Sequence, residues 1–192
     1  LKTFPVVEIF GPTIQGEGAE AGLPCHFVRL GGCDFRCSWC DTMYAVEPSE
    51  VRRNSESLTS EEIASRVKDL KEGPDWVVLS GGNPALHELG DLVGSLHEMG
   101  RKVAVETQGS VWRPWLANVD RLTISPKPPS SDMATEVHRA QLDSFMSRAN
   151  AAPKESLALK IVCFDEEDLL WAKEIASSWP ELDLFLSAGT PV

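Results

Sequence analysis

The sequence predicts an α/β fold, an open, partial (β/α)6 barrel with parallel strands. Six short runs, 26–30, 76–80, 102–106, 121–125, 157–163 and 182–187, are mostly continuous apolar stretches rather than alternations. That is the pattern of strands buried on both faces of a parallel sheet. Segments of helical periodicity alternate with them, as in repeated β–α units with right-handed crossovers. Six strands are too few to close the usual eight-stranded barrel. The unusual residues also gather just after strands, at the carboxyl-end rim where such sheets bind ligands.

Taken in order, residues 6–10 read as an additional short strand ended by Gly11-Pro12. In the following Thr13-Ile14-Gln15-Gly16-Glu17-Gly18, the glycines either allow a ligand close to the backbone or make a tight surface turn. The polar stretches 47–60 and 130–135 read as surface loops. Thr59-Ser60-Glu61-Glu62 has the form of a capping box, opening a helix that runs to about residue 71 before Gly73-Pro74 stops it. Residues 85–99 place Leu86, Leu89, Leu92, Val93 and Leu96 at helical spacing, with Gly100 as the stop. Residues 136–150 and 165–178 are the later helices, the second opened by acidic residues that suit the helix dipole. The piece at 113–117 is at best one turn. His87, His97 and His138 are expected on helices facing solvent. Cys25 and Cys163 are read as small core residues, and Trp112, Trp115, Trp171 and Trp179 as packing.

At 192 residues the chain suits one domain, 1–192, with a substantial core. Apolar residues make up 42% and charged residues 24%, which excludes a disordered chain. No run approaches the roughly 18 apolar residues of a membrane span. The start lacks the basic and apolar segments of a secretory signal. With an odd cysteine count and a reducible cysteine loop, a cytoplasmic location is expected. A net charge of −11 repels phosphates and leaves no basic footprint for nucleic acid. A small molecule is the expected partner.

The chemistry centres on Cys33-Asp34-Phe35-Arg36-Cys37-Ser38-Trp39-Cys40, which holds three of the five cysteines. Thiolates suit zinc or iron–sulfur clusters. Zinc asks for a fourth ligand, usually from a second Cys or His pair, and none is offered. Three close cysteines without a fourth fit a 4Fe–4S cluster with one iron open to chemistry.

Around that loop, Ser80-Gly81-Gly82-Asn83-Pro84 follows the second predicted strand, Glu106-Thr107-Gln108-Gly109 the third, and Ser125-Pro126-Lys127-Pro128 the fourth. Each also has a plain reading: a strand-to-helix turn, a solvent-facing glutamate, a rigid proline loop. Arg29, in an apolar strand, needs a partner because unpaired buried charge is costly. It is either structural, paired with Glu8 or Glu17, or it takes a substrate carboxylate through its planar fork. Thr42, just after the last cysteine, is a weak metal ligand alone but can complete a magnesium shell of water and substrate oxygens.

The spacing Cys33-x3-Cys37-x2-Cys40, with Trp39 before the last cysteine, resembles the cluster loop of the radical S-adenosylmethionine (SAM) superfamily. Gly81-Gly82-Asn83-Pro84 resembles that superfamily's GGEP loop, with Asn83 where glutamate is usual. An amide cannot supply the negative charge, so contact with SAM's amino group falls to backbone carbonyls and the Asn83 oxygen. Most of the chain is similar to one branch, the 7-carboxy-7-deazaguanine synthases. The similarity runs from Val7 to Gly18, through Arg29 and Cys33 to Thr42, then residues 80–86, 106–109 and 122–131.

The resemblance implies a barrel of the radical SAM type and ring contraction of 6-carboxy-5,6,7,8-tetrahydropterin to 7-carboxy-7-deazaguanine with loss of ammonia. The cofactors implied are a 4Fe–4S cluster, SAM and Mg2+. Carried over by position, Cys33, Cys37 and Cys40 hold the cluster. Gly82, Asn83, Glu106, Ser125, Pro126 and Lys127 bind SAM. Ile14, Gln15, Gly16, Glu17, Arg29 and Ser80 line the pterin site, and Thr42 meets magnesium. A homodimer and a low-potential electron donor such as flavodoxin are also implied. The family's chain runs several dozen residues further, so the sequence reads as a truncated form. Two other classes share features: an activase that places a glycyl radical on a protein, and a non-catalytic iron–sulfur electron carrier.

Overall fold

The computed structural model describes residues 2–70, 73–150 and 152–190. In chain order its strands are β1 (Phe4–Ile14), β2 (Pro24–Leu30), β3 (Glu56–Leu58), β4 (Trp76–Gly81), β5 (Lys102–Thr107), β6 (Arg121–Ile124), β7 (Leu157–Cys163) and β8 (Asp183–Ala188). Its α-helices are α1 (Pro48–Asn54), α2 (Ser60–Asp69), α3 (Gly90–Glu98), α4 (Glu136–Ala149) and α5 (Glu166–Ser177). All eight strands share one sheet, ordered β3-β1-β2-β4-β5-β6-β7-β8. From β2 to β8 every neighbouring pair is parallel, so the six predicted runs form the open partial barrel.

Several local expectations are corrected. Gly11-Pro12 does not end the first strand: β1 continues to Ile14, and its register with β2 shifts between Phe10 and Thr13 instead. A Cβ on Gly11 would lie 2.4 Å from the His26 ring, so the bulge needs glycine there. The stretch 47–60 is not a bare loop. It holds α1, started by Pro48 at its first turn, and β3, which adds antiparallel to β1 and buries Leu58. The helix expected over 85–99 is split into a 3-10 turn at Pro84–Leu86 and α3. Side chains hold the carbonyls between: Arg113 donates to Ala85 O and Leu86 O, and Trp115 Nε1 to His87 O. His87 accordingly leaves the helix and is half-buried, its Nε2 2.9 Å from Gly31 O. His138, half-buried against the Phe35 ring, is not solvent-facing either. His97 is exposed, as expected.

The capping box holds: Thr59 Oγ1 accepts from Glu62 N, and Thr59 N donates to Glu62 Oε2. Helix α2 ends at Asp69, and the expected end at residue 71 lies outside the described residues. Between β5 and β6 the crossover is only a 3-10 turn, Pro114–Asn118.

One face of the sheet carries Val28, Leu30, Val77, Leu79, Val103, Val105, Leu122, Ile124, Leu159 and Ile161 into the main core under the helices. The other face lines the lumen. Its floor is the small apolar cluster of Cys25, Val78 and Ala104, with Phe27 and Trp76 against it. Two residues further along their strands the same face turns polar, at Arg29, Ser80 and Glu106. Period-two alternation thus places a dry floor below a polar mouth. No helix among the described residues is long and apolar enough to cross a membrane.

Replacing Thr59 with alanine removes a cap remote from this mouth. We expect a loss of about 1 kcal/mol in urea unfolding, with iron content after reconstitution unchanged.

Candidate active site

The three-cysteine loop follows β2 and is tied down by its own residues. Arg36 Nη1 donates to the carbonyls of Cys33 and Phe35, while its Nε pairs with Glu47 at 2.9 Å. Cys40 N bonds Cys37 O, closing the turn between the last two thiols. Ser38 and Trp39 reach across to the loop after β6, through Ser38 Oγ to Ser130 O and Trp39 Nε1 to Ser130 Oγ. Cys33 Sγ lies 3.4 Å from Phe35 N and 3.6 Å from Gln108 Nε2. Thr42 Oγ1 lies 3.7 Å from Cys40 Sγ.

These thiols fit a cluster better than a single ion. Among the described residues, no three His, Cys, Asp or Glu side chains converge as on one metal ion. All three cysteines are free and half-buried. Burial first, then the neighbouring Cys33 and Cys40, push the Cys37 thiol up to about 11 against the pull of Lys127. Burial likewise raises Cys33. Such thiols ionise only beside strong positive charge, which a bound iron–sulfur cluster supplies.

The Gly81-Gly82-Asn83-Pro84 loop lies directly on the start of the cysteine loop. Gly82 N bonds Leu30 O, and Asn83 N bonds Gly32 O at 2.8 Å. A Cβ on Gly82 would sit 2.1 Å from Gly32 O, and one on Gly81 2.0 Å from Leu30 O. Only glycine permits that approach. The Asn83 side chain is fully buried. Its oxygen accepts from Thr107 Oγ1 and Ala85 N, and its nitrogen donates to Asp34 Oδ1 and Ser110 Oγ. The Asn83 oxygen thus already accepts two hydrogen bonds from within the protein. Asn83 is a donor where glutamate could only accept, and the acceptor it serves is Asp34. Gln108 Nε2 donates to the same Asp34 oxygen at 2.6 Å.

In the lumen, Arg29 pairs through Nε with Glu8 of β1, and its guanidinium stands 5.9 Å from the Tyr44 ring. Of the two carboxylates anticipated for it, Glu8 is the partner. Glu17 meets Lys160 Nζ at 2.6 Å, and Glu106 meets the same nitrogen at 2.8 Å. Burial opposes the charge on both Glu106 and Lys160. For Glu106, the ammonium groups of Lys160 and Lys127 outweigh it and hold the carboxyl below its ordinary range. For Lys160, the carboxylates of Glu106 and Glu17 outweigh it and hold the ammonium above its ordinary range. Glu20, from the turn Gly18–Glu20, is buried beside Thr123, and desolvation raises its carboxyl. The Ser80 hydroxyl, beside Arg29 in register, is buried without a partner among the described residues. A buried orphan hydroxyl facing a polar lumen is a place for a ligand's polar atom.

Ile14 is exposed at the end of β1, Gln15 Oε1 accepts from Gly16 N, and Gly16 leaves open space around its Cα. Ser125 is buried, accepting from Lys127 Nζ at 3.0 Å, and Pro126 is buried beside it. Pro126, Lys127, Gln108 and Phe35 border a cleft of about 390 Å³ that extends to Trp171. The structure thus brings together the cysteine loop, the glycine loop and Lys127 on one side, and Arg29, Ser80, Glu17 and Glu106 in the lumen.

Lys160, Asp34 and Gln108 were not singled out by sequence. Lys160 had a visible signal, a lone cation inside the apolar run 157–163, the same anomaly that flagged Arg29.

Two outcomes are expected. Asn83→Asp sets a second carboxylate against Asp34 and removes the N–H that Asp34 accepts. It should cost roughly 2–3 kcal/mol in denaturant unfolding, with most of the loss restored by Asp34→Asn. Lys160→Met leaves Glu17 and Glu106 without their common cation and should cost about 2 kcal/mol at pH 7. Glu106 is held low in the native protein, so its contribution is present above the ordinary glutamate value of 4.5 and lost as pH falls below it. Lys160 is held high, so its contribution persists to above 10.5. The gap between variant and native protein should therefore begin to narrow as urea midpoints are followed from pH 7 to pH 4.

The radical SAM superfamily model matches residues 27–152. A 7-carboxy-7-deazaguanine synthase of Bacillus subtilis is 41% identical, over 98% of this chain and 77% of its own length. Those of Bacillus cereus and Thermoplasma acidophilum are 39% and 34% identical, over 98% and 92% of this chain and 78% of their own lengths. Among solved structures, QueE from Escherichia coli superposes with a TM-score of 0.63 at 21% identity, covering 97% of this chain and 95% of that one. TYW1 with a lysine-pyruvate adduct bound gives 0.64 at 12% identity, covering 88% and 65%. At those identities the structural likeness speaks for the fold alone. The sequence relatives, matched along nearly the whole chain, carry the assignment: the chain belongs to the 7-carboxy-7-deazaguanine synthases of the radical SAM superfamily.

Proposed function

We propose that the protein contracts the ring of 6-carboxy-5,6,7,8-tetrahydropterin to 7-carboxy-7-deazaguanine with loss of ammonia, in the biosynthesis of queuosine or a related deazapurine. The observation that carries this reading is identity of 41% along 98% of the chain to a relative named for that product. The polar lumen beside the cysteine loop supports it.

In this reading residues 1–192 act as one radical SAM domain. Cys33, Cys37 and Cys40 hold the 4Fe–4S cluster, and together with SAM it supplies one-electron chemistry that removes a hydrogen atom from carbon. Gly82 offers backbone to SAM, and Asn83 fixes that backbone from behind. Glu106, Ser125, Pro126 and Lys127 form the opposite wall, where the Lys127 ammonium suits SAM's carboxylate. Arg29 takes the pterin carboxylate on the nitrogens that Glu8 leaves free. Ser80 Oγ and Glu17 meet polar edges of the ring, while Ile14, Gln15 and Gly16 close over it. Thr42 contributes one oxygen to magnesium, the rest of the shell coming from water and substrate. What these side chains do is hold the reacting carbon in place and keep water from it. A homodimer in the cytoplasm, reduced by a low-potential donor such as flavodoxin, completes the proposal.

The test is anaerobic incubation with dithionite, SAM and the carboxytetrahydropterin, followed by mass spectrometry. We expect the deazapurine product, none from Cys37→Ala, and undiminished cluster content in Cys163→Ala. SAM cleavage that ignores the pterin would overturn the substrate assignment.

A further inference from the structure

We propose that Asp168 is a positioning residue for the three-cysteine loop, acting through Ser130 and Trp39. The proposal rests on the reading of that loop as the cluster's holder.

Asp168 lies in the first turn of α5 and is fully buried. Among the described residues no cation pairs with it. A buried carboxylate is costly unless several donors satisfy it. Its Oδ2 accepts from Phe164 N at 2.9 Å and from Ser130 Oγ at 2.6 Å, and its Oδ1 accepts from Ser130 N at 3.0 Å. The start of α5 explains only the bond from Phe164, because Asp165 already caps the helix by accepting from Asp168 N. The two remaining bonds both go to Ser130, which is far from α5 in sequence and belongs to the loop after β6.

The polarity of the chain is what matters. An ionised carboxylate only accepts, so the Ser130 hydroxyl must give its proton to Asp168. That leaves the Ser130 oxygen as an acceptor alone, and Trp39 Nε1, which only donates, meets it at 3.1 Å. The Trp39 ring also packs 5.1 Å from that of Phe164. The indole next to Cys40 is thus held by a hydrogen bond whose direction is set two residues away, and Ser38 bonds the carbonyls of Ser130 and Ser131 alongside it. With an amide at 168 one end must turn its own N–H toward a donor of Ser130 or Phe164, so the hold on Ser130 weakens and the indole's acceptor is less well fixed.

The test uses reconstituted holoprotein bearing Trp39→Phe, Ser130→Ala or Asp168→Asn, and the Ser130→Ala/Asp168→Asn pair. Trp39→Phe keeps the ring contact and removes one N–H. Ser130→Ala keeps the bond from Phe164 to Asp168. Hydrogen exchange of residues 36–42 and release of iron to a chelator should each quicken about 10-fold in all three single variants. The double variant should be no worse than its singles, since they interrupt one chain. Melting temperature should stay within a few degrees for Trp39→Phe and Ser130→Ala. Native rates of exchange and iron release in Ser130→Ala and Trp39→Phe would overturn the proposal and leave Asp168 as part of the helix start, even if Asp168→Asn does not fold. Failure of the native protein to take up iron would instead remove the cluster reading, while loop exchange would still report on the relay.

Discussion

The rim of the barrel depends on one close approach, the backbone of Gly82 and Asn83 lying against that of Gly32. β2 and β4 are parallel neighbours, and their carboxyl ends emit the cysteine loop and the glycine loop side by side. With a Cβ excluded at 2.1 Å from Gly32 O, the two loops pack main chain to main chain. From that contact the order spreads outward. Asn83 reaches Asp34 inside the cysteine loop, and Gln108 at the end of β5 reaches both Asp34 and Cys33. The residues following β4 and β5 thereby brace Asp34 beside the first cysteine, and Gln108 also reaches the cysteine sulfur.

The lumen is arranged on a different basis. Its floor is small and apolar, and its mouth concentrates charge on few atoms. Lys160 gathers Glu17 from the loop after β1 and Glu106 from β5 onto one nitrogen. The shared ammonium outweighs burial to hold the Glu106 carboxyl below its ordinary range, and through Glu17 it ties a surface loop to the barrel wall. In the proposed function those are the carboxylates that face pterin and SAM.

Much of this was legible in the sequence, because the relevant signals are local. Apolar runs marked the six parallel strands, and the three-cysteine spacing, the paired glycines and the Ser125–Lys127 loop marked the rim. The misses have one physical cause, pairing between residues distant in the chain. Gly11-Pro12 looked like a stop because nothing local reveals that β2 holds the strand on the far side of the bulge. The apolar spacing from Leu86 to Leu96 suggested one helix, but Arg113 and Trp115, from beyond the next strand, bind the carbonyls that such a helix would use. Asp168 looked like one more acid at a helix start, and its bond to Ser130 cannot be read from either segment. Asn83 stood out as a departure from the family pattern, yet the acceptor that makes an amide fitting is Asp34, in a motif read for its cysteines.

The pairing of the lumen cations bears on how a ligand arrives. Arg29 shares its charge with Glu8, and Lys160 with two glutamates, in a chain of net charge −11. Little positive potential is left to project into solvent, so an anionic substrate meets attraction only after it has entered. Its diffusional encounter is opposed by the field of the whole protein. Added salt shortens the Debye length, from about 30 Å at 0.01 M to about 8 Å at 0.15 M, and weakens that opposition more than it weakens contacts formed inside the lumen. Association with a carboxylated pterin is therefore expected to quicken with ionic strength, the reverse of an enzyme that steers its anion by a basic funnel.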